Sequence, residues 1–232
     1  MTESSSQQVH SKELISDTGG TGHIYRLTYM DRSTAIEKSA KTLTSNKAIA
    51  DEHKVLTLLG EMPYCPDGIP RVLGPLVTDP ATTIYSFLMS DIQGRPLSEL
   101  TERDNTEFLN SSYFNRINAL LVAALPLAFA NKFGYVHNDV QLRNILFKSN
   151  PSTGGVVDWE LCVPLTASNQ FSDVAAFAGL ISKIFRKKYA PDDIFPIGVD
   201  TWRGGVEAKR YPDVEHAWDQ LFKLVSLDIP KD

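Results

Sequence analysis

The amino-acid sequence predicts an α+β protein folded as two lobes, and three observations carry that expectation. Short strand-like segments separated by turn residues, with one helix among them, make up the chain up to Met89. Long apolar runs of helical period follow from Phe114 onward. Between them, SDIQGRP (Ser90 to Pro96) shows neither period and reads as a linker. Strands first and helices afterwards is the order of an α+β architecture. Its expected parts are a disordered polar tail over residues 1–12, a strand-rich lobe over 13–90 and a helical lobe over 91–232.

In the first lobe ELIS, the glycine cluster DTGGTG, HIYRLTYM, the polar turn DRS and TAIEKSA predict a small β-meander. TSNKAIADEHKVLTLLGE predicts one helix, with Ser45 as candidate N-cap, a stripe of Ile49, His53, Leu56 and Leu59, and an end near Gly60. Proline and glycine break up MPYCPDGIPRVLGPLVTDPA before a further strand, TIYSFLM. In the second lobe FNRINALLVAALPLAFANKFG predicts a long helix interrupted at Pro126, because proline removes a backbone donor and clashes with the preceding turn. DVAAFAGLISKIFRK predicts another helix, and Trp202 and Trp218 are expected to pack helices rather than to stack a ligand.

Composition narrows the function classes. The 232 residues are 42% hydrophobic and 22% charged, ordinary values for a globular chain. A net charge of −5, without a basic block interleaved with aromatics, argues against a nucleic-acid partner. The basic stretch KIFRKKY, Lys183 to Tyr189, reads as a solvated helix end. Cys65 and Cys162 stand far apart without metal-ligand spacing, so neither a disulfide framework nor a zinc site is expected, which suits a cytoplasmic protein. No signal-peptide core and no run approaching the ~18 apolar residues of a membrane helix is found, so no membrane partner is expected.

The segment GYVHNDVQLRNILF sets His137, Asp139 and Asn144 at the spacing H-x-D-x-x-x-x-N, and the apolar GGVV then leads into Asp158, Trp159 and Glu160. Turn chemistry alone explains Asn and Asp between a helix and a strand. Phosphoryl transfer explains the spacing as well: it needs a carboxylate at the attacking hydroxyl and oxygen ligands for the cation that binds the phosphates. NILF and GVVD can pair as a hairpin that presents Asn144 and Asp158 at one end.

This combination resembles the protein-kinase-like superfamily. The resemblance implies a bilobal fold, ATP and Mg2+ as cofactors, Asp139 as catalytic base, and Asn144 and Asp158 as metal ligands. His137 is expected to brace the loop rather than to transfer a proton. GGTGHIYRL resembles a glycine-rich phosphate loop through Gly20 and Gly22, although two glycines between strands also make an ordinary hairpin. TAIEK resembles the strand whose lysine holds the nucleotide phosphates, which implies Lys38, with Glu52 on the following helix as its partner and Lys41 as a competitor. LMSDIQGRPLSEL resembles the interlobe hinge, where backbone around Ser90 and Ile92 would bind adenine.

Within the superfamily, Asp158-Trp159-Glu160 and the stretch EHKVLTLLGEMPYCPDGIPRVLG are similar to the aminoglycoside phosphotransferase and choline kinase branch. A-P-E is absent, and Asn138 replaces the arginine that pairs with an activation-loop phosphate in many protein kinases. Gln141 stands where the resemblance implies Lys or His, so transition-state charge needs another cation. Arg143 is the nearest, and an arginine there also reads as a surface anchor. The segment between hinge and catalytic loop is short for enclosing a small acceptor.

The expected function is transfer of the ATP γ-phosphate to a hydroxyl acceptor, either a small molecule or a protein. Two alternatives stand beside it: a pseudokinase-type binding module without catalysis, and a minimal atypical protein kinase.

Overall fold

The computed structural model describes residues 8–17, 19–101, 108, 113–149, 152–184, 211 and 213–227. Trp202 and most of the basic stretch ending at Tyr189 lie outside the described residues. The chain is α+β with antiparallel sheets; short strands recur after the long helix of the second unit, so strands and helices are less cleanly separated along the sequence than expected. It divides into two compact units, one of Met1–Met62 with Pro70–Asp91, the other of Pro63–Ile69 with Ile92–Asp232.

The first unit is a five-stranded antiparallel sheet in the order β1-β2-β3-β5-β4. Its strands are β1 (Val9–Ser16), β2 (Gly22–Tyr29), β3 (Thr34–Ala40), β4 (Val77–Thr78) and β5 (Tyr85–Ser90). Residues 9–12, expected in the tail, belong to β1: they pair with β2 through backbone bonds that ask little of side-chain pattern at an exposed edge. The β2–β3 turn follows from Asp31, whose carboxylate accepts the Ser33 N–H at 2.9 Å and the Ser33 hydroxyl at 2.6 Å, while Arg32 takes a φ of 67°.

One helix, α1 (Asn46–Glu61), packs on β3 and β5. Ile49, Leu56 and Leu59 are fully buried with Phe87, and the His53 ring meets Phe87 edge-on at 5.3 Å while its Nε2 contacts the Gly74 carbonyl. Ser45 does not cap α1. It ends a 3₁₀ turn (Leu43–Ser45), and its hydroxyl bonds Thr42 Oγ1 instead. The helix start is tied down by Asn46, whose amide bonds the Thr83 carbonyl and the Tyr85 N–H. At the other end Arg71 donates to the Gly60 carbonyl at 2.9 Å, satisfying one of the acceptors a helix C-terminus leaves open.

The second unit is built on α3 (Tyr113–Lys132), which packs on the hairpin of β8 (Ile145–Ser149) and β9 (Ser152–Val156). The expected linker contributes β6 (Arg95–Pro96), paired with β8, and a single helical turn, α2 (Leu97–Leu100). Strands β7 (Tyr135–Val136) and β10 (Val163–Pro164) form a second small pair. Among the described residues, helices α4 (Ser172–Ile184) and α5 (Val214–Leu227) follow, with Trp218 on α5 packed edge-on to Phe177 on α4 at 6.3 Å.

Helix α3 runs through Pro126 rather than being interrupted there. A mid-helix proline costs ~3 kcal/mol in isolation, and the offset here is packing. Pro126 is buried, and a side chain on Gly68 would come within 2.8 Å of its ring. The same loop approaches β9 so closely that a Cβ on Gly155 would fall 2.1 Å from the Gly68 carbonyl, which accepts the Val156 N–H at 2.9 Å. The glycines therefore admit an extra backbone segment beside the hairpin.

Candidate functional site

In the first unit, Lys38 and Glu52 meet as predicted. Lys38 on β3 and Glu52 on α1 are separated by 2.6 Å, with 3% and 1% of their side chains exposed. A charged pair taken out of water is costly to desolvate and weak as a stability device, so its burial is a functional signal. Gly22, opposite Ala40 in the β2–β3 register, shapes the approach. A Cβ there would lie 3.3 Å from two carbons of the Lys38 stem and 3.2 Å from the Ser39 carbonyl, whereas one on Gly20 would meet nothing within 4 Å. The two glycines serve different ends: Gly22 makes room for Lys38, and Gly20 leaves the turn open.

Lys41, the competitor, points elsewhere. Its ammonium bonds the Asp17 and Gly19 carbonyls and the Asp17 carboxylate. Of the two expected hinge residues, Ser90 gives its N–H to the Arg71 carbonyl at 2.8 Å, and its hydroxyl accepts the Arg71 N–H at 2.9 Å. Ile92 is buried and opens the longer segment of the second unit. Between them Asp91 holds Arg26 of β2 at 2.9 Å, a pairing that the sequence reading missed.

In the second unit, the β8–β9 hairpin brings Asn144 and Asp158 to its open end. Ile145 pairs with Val156, and the Val157 N–H donates to the Asn144 carbonyl at 2.9 Å, so Asp158 follows directly. Asn144, buried, turns its amide nitrogen to both the Asp139 carbonyl (2.9 Å) and the Asp139 carboxylate (2.8 Å). Gln141 donates to the other oxygen of that carboxylate. Arg143 lies 3.3 Å from it with 61% of its side chain exposed. The arginine expected to serve the transferred phosphoryl group thus rests on Asp139 itself.

Asn138 and Asp158 both adopt left-handed backbone, with φ of 64° and 65°. Such conformations are costly for non-glycine residues and persist where surrounding contacts enforce them. The enforcing contacts converge on His137 and Asp173. Asp173, at the start of α4 and 1% exposed, accepts the N–H of His137 and of Asn138, each at 2.9 Å, and the Asn131 amide at 3.2 Å. The His137 ring bridges Val157 O through Nε2 (3.2 Å) and the Asp139 N–H through Nδ1 (3.2 Å). Those two bonds require the neutral tautomer with the proton on Nε2. Burial favours the same state, lowering the imidazole below its ordinary value against the pull of Asp173. Trp159, fully buried, stacks edge-on to His137 at 4.6 Å and donates to the Val156 carbonyl at 2.8 Å. His137 thus braces the loop, as read from the sequence.

Asp173 and Trp159 are site residues to which the sequence reading gave no role. An acidic residue in the first turn of an apolar helix looks like ordinary helix-dipole chemistry, and only the fold shows that its partners lie on another loop. Cys162 is excluded as a nucleophile: burial, reinforced by Asp173, pushes its thiol up to about 12.

The donor set at the hairpin end consists of hard oxygens, which suits Mg2+. With its nitrogen on Asp139, Asn144 has its amide oxygen to offer a cation, and Asp158 has a carboxylate. Comparison with protein-family models gives no match, and none of the curated proteins matches the chain.

Proposed function

We propose that the chain is an ATP-dependent phosphotransferase of the bilobal protein-kinase-like type, moving the γ-phosphate to a hydroxyl acceptor. The observation that carries this reading is the Asp139–Asn144 pair at the end of the hairpin that also delivers Asp158. Independent support comes from the buried Lys38–Glu52 pair.

Asp139 accepts the proton of the attacking hydroxyl, and its bonds to Asn144 and Gln141 hold the carboxylate in one orientation. Lys38, held by Glu52, supplies positive charge to the nucleotide phosphates. Asn144 and Asp158 would hold Mg2+, which would supply charge neutralisation at the phosphates. His137, Trp159 and Asp173 position these groups and do not react.

A second reading, a binding module that takes nucleotide without transferring phosphate, is favoured by one observation: the position beside Asp139 is filled by neutral Gln141. Phosphate transfer from labelled ATP to water, to a panel of small alcohols and to a mixed protein extract separates the two. Transfer that Asp139→Asn abolishes supports the phosphotransferase, and the accepting fraction tells a small-molecule enzyme from a protein kinase. Mg-ATP binding without transfer to any acceptor supports the binding module.

A further inference from the structure

Lys41 follows β3 and sits close to the glycine turn without joining the Lys38–Glu52 pair. Its backbone N–H donates to the Thr21 carbonyl at 3.0 Å, so the residue is fixed to the exit of the turn. Its ammonium reaches the entry: the Asp17 carbonyl, the Gly19 carbonyl at 2.7 Å and the Asp17 carboxylate at 2.9 Å. Three acceptors exhaust the three donors of an ammonium group. Lys41 is thereby committed to the turn and is not a direct phosphate ligand in this arrangement.

The electrostatics run one way. Two carbonyl dipoles and one carboxylate aim their negative ends at a single point, and without a cation there they repel one another. Lys41 also holds the Asp17 carboxyl below its usual range, chiefly through their hydrogen bond. His23 on β2 approaches the same carboxylate at 2.9 Å, a further cationic contact when it is protonated. Opposite this anchored entry, Gly20 has open space around it. One side of the turn is clamped and its tip is free to meet a ligand.

We propose that Lys41 is a positioning residue: it ties Asp17 and Gly19 to the exit of the turn at Thr21 and so sets the affinity of Gly19–Gly22 for the polyphosphate of a nucleotide. The affinity half of this inference rests on the phosphotransferase reading, and the clamp does not. A turn already ordered before binding avoids the entropy of being ordered by the ligand, so loss of the clamp weakens binding rather than the chemical step.

Amide hydrogen exchange on the full-length chain, comparing wild type with Lys41→Met, tests the clamp, and Mg-ATP titration of the same samples tests its consequence. Expected is exchange at Gly19 to Gly22 faster by about tenfold, with β3 and α1 keeping their rates, and a Kd for Mg-ATP raised by about tenfold. Lys41→Arg, which keeps charge and donors, restores part of both, and Asp17→Asn, which keeps the carbonyl bonds, shows a smaller change in each. Unchanged exchange in Lys41→Met overturns the clamp. Faster exchange with an unchanged Kd overturns the positioning role. If the wild type takes no Mg-ATP at all, the phosphotransferase reading and the affinity half fall together, while the exchange comparison still decides the clamp.

Discussion

At the scale of single residues, the proposed site divides into groups that react and groups that hold them. Asp139→Asn removes the proton acceptor but keeps the shape, with its amide oxygen still accepting from Asn144 and Gln141 turning its own amide oxygen to the new NH2, so turnover should fall by about 100-fold or more while Mg-ATP affinity is retained. Single-turnover transfer assays with parallel titrations check this, and unchanged turnover removes Asp139 from the chemistry. The glycines differ in the same testable way. Gly22→Ala pushes a methyl group against the Lys38 stem and should cost about 1–3 kcal/mol, whereas Gly20→Ala, with open space around it, should stay within about 0.5 kcal/mol by denaturant unfolding. His137 carries a pH signature. Its folded-state value is lowered from 6.5, so below that pH the unfolded chain takes up a proton that the folded chain refuses. Stability should therefore decline as pH falls from about 7 to about 5, more steeply in wild type than in His137→Gln.

At the scale of elements, the strands and helices that carry the site were legible because their local chemistry agrees with their setting. TAIEKSA alternates and forms β3 as read, and the α1 stripe of Ile49, Leu56 and Leu59 faces the sheet. The failures have identifiable causes. Ser45 has the chemistry of a cap, but the preceding 3₁₀ turn leaves that role unfilled. Pro126 reads as a break and is accepted because Gly68 lies against its ring, a contact between segments far apart in sequence. Asp173 was silent for the same reason, since its partners are the backbone of residues 137 and 138. Asp173→Ala should strand the buried His137 N–H and release the part-buried Asn138 N–H, at a cost of ~2 kcal/mol, loosening the His137 loop while β2 and β3 keep their exchange protection. Equal loss of protection in both units would show that Asp173 holds more than its own loop.

At the scale of the whole molecule, the motif residues and the Lys38–Glu52 pair come from different units. The spacing of His137, Asp139, Asn144 and Asp158 motivates the proposed chemistry, and the β8–β9 hairpin shows how one of the two units gathers three of those side chains. Lys38 and Glu52 were legible as a pair because each sits on a regular element whose period fixes its direction. Gln141 was legible as a departure, yet its bond to Asp139 was not, because side-chain direction within a loop has no period to read. The central claim is a Mg-ATP site that depends on Asp158. The melting temperature of the wild type and of Asp158→Ala, each with ATP alone and with Mg-ATP, tests it most directly. Ligand at ~100 times its Kd adds about 2.7 kcal/mol to the folded state. A rise that requires Mg2+ in the wild type and disappears in Asp158→Ala is the predicted result; no rise, or an equal rise in both proteins, contradicts the account.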